Sequence, residues 1–184
     1  MKRVETDLNE RFLRDNLTPS PLYTRIGINS GDMVVGNLGT ERQMDYTIMG
    51  HAVNLAARLE GVNKQYGSSI LVSEETRRLA GDRFLFRRLD RVRVVGVRQP
   101  VQLYELLDER DAASAKLVER VDAFEQAIEA FRAHDFAEAG RIFAEVAEAA
   151  PDDTAAKRYA QRCEQYKTNP PPAGWDGVYK LGEK

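Results

Sequence analysis

Residues 25–60 read RIGINSGDMVVGNLGTERQMDYTIMGHAVNLAARLE, and this pattern predicts most of the local structure around it. Two segments, residues 23–30 and 33–39, flank Gly31-Asp32 and predict two strands joined as a tight hairpin. A third short strand is expected at residues 45–49. The dense glycines are typical of turns and close strand packing, and a close approach of backbone to a ligand is the alternative.

A helix is predicted directly after these strands, from about residue 52 to residue 66. Its apolar residues recur at helical spacing and form one stripe, which consists of Leu55, Leu59, Val62 and Tyr66. Gly67 is a suitable C-terminal stop, and Ser73 is a suitable N-cap for the next helix. The remaining elements expected up to Leu107 are helices at 4–15 and 73–80, and strands at 69–72, 84–95 and 101–107.

The composition changes after Leu107, where Ala, Glu, Arg and Asp predominate. Two apolar helical stripes and a third helix after Pro151 predict an all-α region at 108–168. The tail at 169–184 is irregular, and Trp175 is expected to fold back on the helices. We therefore predict an α+β protein divided into residues 1–107, 108–168 and 169–184.

Composition excludes several classes of protein. The 184 residues carry 27 Lys and Arg against 29 Asp and Glu, a net charge of −2, which does not favour nucleic acid as a partner. Cys163 is the single cysteine, so the chain cannot build a disulfide framework or a thiolate zinc site alone. No apolar run is long enough for a membrane span, and residues 1–7 do not resemble a signal peptide.

Asn54 and Arg58 are the candidate functional pair. They are four residues apart on the predicted helix, so their Cβ atoms lie about 5–6 Å apart on one face. An amide beside a guanidinium is suited to a sugar oxygen and a phosphate oxygen. The alternative is a solvated arginine that pairs with Glu60 or Glu41, beside an asparagine near the helix start.

The order of these segments resembles the class III adenylyl/guanylyl cyclase catalytic domain. The matching elements are R-x-G-x-x-S-G, a glycine-bearing strand, and Y-T-x-x-G-x-x-V-N-x-A-x-R-x-E, and the resemblance runs from about Leu8 to Leu107. It implies a partial ferredoxin-like sheet with helices. It also implies an adenylyl cyclase that converts ATP to cyclic AMP and pyrophosphate in cyclic-nucleotide signalling.

The resemblance assigns a role to three residues. Asn54 would orient the ribose, and Arg58 would stabilise the charge that develops as the 3′-hydroxyl attacks the α-phosphate. Thr47 falls where these enzymes contact the purine edge, and it favours adenine. Such a reaction depends on positioning and on cationic stabilisation more than on covalent work by the protein.

The family resemblance also implies a metal requirement that this chain is not expected to meet. Such cyclases hold two Mg²⁺ or Mn²⁺ ions with two aspartates that precede the R-x-G-x-x-S-G strand. The 24 residues before Arg25 contain neither motif, and Asp7 and Asp15 fall in a helical pattern. We therefore expect no metal ligands here, an N-terminally truncated domain, and inactivity of the chain alone.

Two further positions depart from the family pattern. Val95 stands where the family often has a lysine that contacts the triphosphate, and Arg93 or Arg98 is a partial substitute. His51 stands where Asp or Asn is commoner, and we interpret it as a helix-start residue.

The helical region resembles a tetratricopeptide repeat, as in membrane-anchored bacterial adenylyl cyclases. Ala139, Phe143 and Pro151 have the spacing of that repeat, whereas Ala123 and Gln126 stand where it favours Trp and Leu. A plain helical hairpin is the alternative. One repeat cannot bury its own faces, so this region is expected to cap the cyclase domain or to bind a protein partner.

The expected partners are ATP and, for the complete domain, a second subunit in a head-to-tail homodimer, in which one subunit supplies the metal ligands and the other Thr47, Asn54 and Arg58. The expected location is the cytoplasm, with a membrane-anchored parent protein as one option. The competing hypothesis is a non-catalytic pseudo-cyclase that senses nucleotide or modulates a dimer through its helical tail. A third hypothesis is a scaffold that acts through residues 108–168.

Overall fold

A computed structural model describes residues 2–40, 43–93, 99–172 and 174–180. The first part of the chain consists of α1 (Lys2–Arg14), β1 (Ile26–Ile28), β2 (Val34–Thr40), β3 (Gln43–Met49), α2 (His51–Tyr66), β4 (Ile70–Ser73) and α3 (Glu74–Ala80). The second part consists of β5 (Phe84–Arg93), β6 (Val101–Glu109), α4 (Ala115–Arg132), α5 (Phe136–Ala149), α6 (Thr154–Thr168) and β7 (Tyr179–Lys180).

The strands form one sheet of five and a separate hairpin. The sheet has the order β1-β4-β6-β5-β7, in which β1 is parallel to β4, β7 is parallel to β5, and the other pairs are antiparallel. The hairpin consists of β2 and β3, with Gly36 opposite Thr47. The predicted hairpin around Gly31-Asp32 is therefore wrong, because β1 pairs with β4 and β2 pairs with the strand that follows it.

The reason for this difference is the packing of β1 on α2. A Cβ atom on Gly27 would lie 2.2 Å from the Ala56 carbonyl oxygen and 2.4 Å from the Glu60 nitrogen, so the strand backbone lies directly on the helix backbone. The amide of Asn63 donates to the Ile26 carbonyl at 3.0 Å and ties the two elements together. The backbone nitrogen of Ile26 donates to Ser69, next to β4, rather than to β2.

This contact predicts that Gly27→Ala is strongly destabilising. The added methyl group would have to push α2 away from β1, and overpacking of this kind costs about 2–3 kcal/mol. The measurement is the free energy of unfolding in urea. Gly61→Ala is the matched control, because Gly61 is an exposed residue of α2 with open space at its Cβ. The control should stabilise by up to about 1 kcal/mol, and an equal effect of both substitutions would contradict the prediction.

The helices α4–α6 share one hydrophobic core with the sheet. Buried residues of α2, β4, β5 and β6 form a single cluster with buried residues of α4, α5 and α6. Phe124 of α4 lies edge-on to Phe143 of α5 and to Tyr159 of α6, with ring centroids 5.1 and 5.9 Å apart. The division into residues 1–107, 108–168 and 169–184, and the tetratricopeptide-like character of the middle part, remain predictions.

A buried arginine bridges the sheet and the helices. Arg87 of β5 donates to Glu105 of β6 at 2.5 Å and also to Asp153, the N-cap of α6. Its guanidinium carbon lies 4.4 Å from the ring centroid of Phe124. Arg87 is 6% exposed, so its charge depends on these two carboxylates for compensation.

The tail folds back as predicted. Trp175 packs on an aromatic cluster of the helices that consists of Phe131, His134, Phe136 and Tyr166. The chain then adds β7 beside β5, with Tyr179 opposite Val92.

At the other end of the chain, α1 covers the structure loosely. It buries none of its residues fully, and a cavity of about 320 Å³ lies between parts of α1 and of the segment that leads into β1, which are also joined by hydrogen bonds between Asn9 and Leu22. The apolar side chains that line this cavity are Val4, Leu8, Leu22 and Ile26.

Candidate active site

The site is built around the start of α2. Gly50 links β3 to the helix with φ 149°, a conformation that favours glycine, and its carbonyl accepts the Asn54 backbone N–H at 3.1 Å. The side-chain amide of Asn29, just beyond β1, donates to the Ala52 carbonyl at 3.0 Å. The first turn of α2 is therefore held both by the strand that precedes it and by β1.

Asn54 and Arg58 lie one turn apart on α2. Asn54 is exposed and Arg58 is half-buried. Glu60, one of the two partners considered for Arg58, instead pairs with Arg25 at 3.1 Å. No residue in the described ranges forms an ion pair with Arg58, and Glu41 lies outside them. The amide and the guanidinium are thus available at the surface for a ligand with oxygen acceptors.

Thr47 lies on the neighbouring hairpin. It is half-buried on β3, directly opposite Gly36 of β2. Directly opposed residues of an antiparallel pair share one face of the sheet, and a Cβ on Gly36 would meet nothing within 4 Å. There is consequently open space beside Thr47, as a flat ligand group would need.

Sequence reasoning missed the asparagine that fixes α2. Asn63 is fully buried, and its amide nitrogen donates to the carbonyls of Ile26 and Leu59, while its oxygen accepts from Ser68 at 2.8 Å. The signal was an asparagine beside the apolar stripe of α2. A polar residue on a buried helical face needs hydrogen-bond partners, and the distant one among them belongs to β1.

The described residues contain no group of three or more His, Cys, Asp or Glu side chains that could hold an ion. Asp7 is exposed on α1, and Asp15 lies 3.4 Å from Nε of Arg14. We derive no step through a metal from these residues, and the expectation that this chain holds no metal ligands remains a prediction.

Two positions that depart from the family pattern are His51 and the place of the family lysine, and the structure describes the first of them. His51 is the exposed first residue of α2, which confirms it as a helix-start residue. Val95 and Arg98 lie outside the described residues, and Arg93 is the last residue of β5.

None of the helices in the described ranges has the length and apolar character to cross a bilayer.

Comparison with known proteins identifies the class. Residues 4–108 match the family described as the adenylate and guanylate cyclase catalytic domain. This match covers more than half of the chain, so the chain belongs to that family.

Individual relatives are named as adenylate cyclases. The chain is 35% identical over 150 residues to the terminal-differentiation specific adenylate cyclase of Dictyostelium discoideum, a match that covers 79% of this chain and 7% of the relative. It is 40% identical over 84 residues to adenylate cyclase 1 of Rhizobium meliloti, which covers 46% of this chain and 13% of the relative. The chain therefore spans only a small part of these relatives. The first match must extend beyond residue 108 into the helical region, because it covers 79% of the chain.

A solved structure supports the same conclusion. The adenylyl cyclase CyaB from P. aeruginosa is similar with a TM-score of 0.52 and 37% identity, over 61% of this chain and 56% of that chain. The predicted α+β fold, with a partial cyclase sheet followed by helices, is confirmed by the strands and helices observed and by this similarity.

Proposed function

We propose that this chain supplies the ribose-binding and phosphate-binding half of an adenylate cyclase site that converts ATP to cyclic AMP and pyrophosphate. The observation that carries the proposal is the pair Asn54 and Arg58, which lies at the surface on α2 within the segment that matches the cyclase family. The names of these relatives support adenylate rather than guanylate cyclase activity.

The chemistry follows from the two side chains. The Asn54 amide can hydrogen-bond a ribose oxygen and hold the 3′-hydroxyl in line with the α-phosphate. Arg58 can donate two parallel N–H bonds to the phosphoryl oxygens as negative charge accumulates there. Thr47 has open space beside it for the edge of adenine. Divalent ions held by the family's aspartates would add Lewis-acid stabilisation of the same oxygens.

A second subunit would complete this site. Large apolar side chains of the β2–β3 hairpin and its entry are 42–76% exposed, and they consist of Met33, Val34, Val35, Leu38, Met44, Tyr46, Ile48 and Met49. A surface of this kind supports association with another protein chain. In the head-to-tail homodimer that we propose for the complete domain, one subunit provides Thr47, Asn54 and Arg58, and the upstream half of its partner provides the metal-binding aspartates.

The proposal is tested by complementation. The completed enzyme consists of this chain fused after the upstream half of a related adenylate cyclase domain. The completed enzyme with Asn54→Ala and Arg58→Ala should be inactive alone, because both of its sites lack the pair. Addition of the 184-residue chain should restore cyclic AMP formation from ATP with Mn²⁺, since the mixed dimer then contains one whole site.

The result also decides between the alternatives. Binding of a non-hydrolysable ATP analogue without turnover, in both the mixture and the unsubstituted completed enzyme, would favour the nucleotide-sensing pseudo-cyclase. Absence of nucleotide binding, with capture of a protein by residues 108–168, would favour the scaffold. We further propose a cytoplasmic location, which the need for ATP supports, and a protein partner for the helical region.

A further inference from the structure

The helix that carries Asn54 and Arg58 is anchored at its opposite end. Every fully buried residue of α2 lies in its C-terminal half, and these are Leu59, Val62, Asn63 and Tyr66. At the N-terminal end, Gly50 provides no side-chain cap. The position of the functional pair therefore depends on what holds the last turns of the helix, together with the Asn29 contact at its first turn.

One buried carboxylate oxygen joins α2 to the helical region. The Tyr66 hydroxyl donates to Oδ2 of Asp90 at 2.6 Å, and Nη1 of Arg162 donates to the same oxygen at 2.7 Å. The three residues are 1%, 3% and 5% exposed. Burial and the neighbouring Asp90 raise the pKa of Tyr66 far above its ordinary value, so the hydroxyl keeps its proton and remains a donor. The link runs from α2 through β5 to α6.

The same end of α2 makes two more contacts with α6. Arg158 donates from Nη1 to the Gln65 carbonyl at 3.3 Å, and its guanidinium carbon lies 5.3 Å from the Tyr66 ring centroid. A cation is favourable there because the last carbonyls of a helix lack intrahelical partners. Gly67, the left-handed C-cap, lies so close to Thr154 that a Cβ would be 2.5 Å from its Oγ1.

We propose that α6 positions the catalytic helix, and that Tyr66 is the positioning residue through which docking of the helical region sets the place of Asn54 and Arg58. This inference rests on the proposed function of that pair. Arg58 and Tyr66 are eight residues apart, or about 12 Å along a stiff helix. A small shift at Tyr66 therefore moves Arg58 by a similar amount, and a displacement of about 1 Å can cost ~100-fold in rate. The helical region is then part of the catalytic unit.

A matched pair of hydroxyl deletions separates positioning from stability. Tyr66→Phe removes the link between α2 and Asp90 and leaves the Asp90–Arg162 pair in place. Tyr159→Phe removes an equally buried hydroxyl of α6 that donates to the Leu89 carbonyl of β5 at 2.9 Å and forms no hydrogen bond with α2. Both variants lose one buried hydrogen bond, so their urea midpoints should fall by similar amounts.

Kinetics of the completed enzyme provide the first readout. We expect Tyr66→Phe to lower kcat at least ~5-fold with KM for ATP within ~2-fold, because misplacement acts mainly on the transition state. Tyr159→Phe should leave kcat within ~2-fold of the parent enzyme. Equal kcat values for the two variants would overturn the proposal.

Amide hydrogen exchange provides a second readout that needs no activity. In the 184-residue chain, Tyr66→Phe should raise exchange of the α2 amides at residues 54–62 at least ~5-fold relative to Tyr159→Phe. Equal exchange in the two variants would overturn the positioning role. If the completed parent enzyme makes no cyclic AMP, the proposed function fails, and the exchange result still decides whether Tyr66 holds α2.

Discussion

Replacement of Arg58 by alanine in the completed enzyme is expected to lower kcat by at least ~100-fold, with KM for ATP changed by less than ~3-fold. Before substrate binds, no described residue forms an ion pair with the Arg58 guanidinium. Its bonds to the phosphoryl oxygens would strengthen as negative charge builds up during cyclisation. Asn54→Ala should give a loss of similar size, because the ribose hydroxyl would no longer be held in line. The measurement is steady-state formation of cyclic AMP at saturating Mn²⁺.

Two variants make this result specific. Arg58→Lys keeps the charge but loses the bidentate hydrogen bonding of the guanidinium, and it should retain only part of the parent kcat. Lys64→Ala removes an exposed cation from the same helix and should leave kcat unchanged. Full activity of Arg58→Ala would remove the role that we assign to this residue.

The second large effect concerns stability. Arg87→Met should lower the free energy of unfolding by about 3–5 kcal/mol, because it leaves Glu105 and Asp153 as uncompensated buried carboxylates. The methionine preserves much of the packing on Phe124, so the loss reports the charge rather than a cavity. Urea unfolding followed by far-UV circular dichroism measures it.

A substitution at an exposed arginine and a triple substitution at the buried site provide the controls for this prediction. Arg141 also bridges two glutamates, Glu138 and Glu145, but all three are exposed, and Arg141→Met should leave the urea midpoint almost unchanged. Combining Arg87→Met with Glu105→Gln and Asp153→Asn should regain most of the stability, since no unpaired charge then remains buried. Equal losses for Arg87→Met and Arg141→Met would show that the buried pairing contributes little.

The helices of this protein could be predicted because their signals are local. The apolar stripe of α2 and the Ser73 cap lie within a few residues of what they determine, and Ser73 does accept from the Thr76 amide at 3.3 Å. Asn54 and Arg58 could be singled out for the same reason, since spacing of four residues on a helix fixes their proximity. Their roles remain predictions.

The strand pairing could not be predicted because it depends on distant partners. Gly31-Asp32 has the composition of a turn, yet β1 pairs with β4, which begins more than 40 residues later at Ile70. What places β1 there is its contact with α2 at Gly27, a long-range contact that the local pattern does not contain. The link between Tyr66, Asp90 and Arg162 could not be predicted for the same reason, because these residues lie on three different elements, α2, β5 and α6.

The position of Trp175 has a practical consequence. It is the single tryptophan of the chain, half-buried between Phe131 and Tyr166 at centroid distances of 5.6 and 5.4 Å. Its fluorescence emission under selective excitation therefore reports one event, the release of residues 174–180 from the helices and from β5. A red shift that precedes global unfolding during titration with denaturant or a binding protein would reveal that release without an added label.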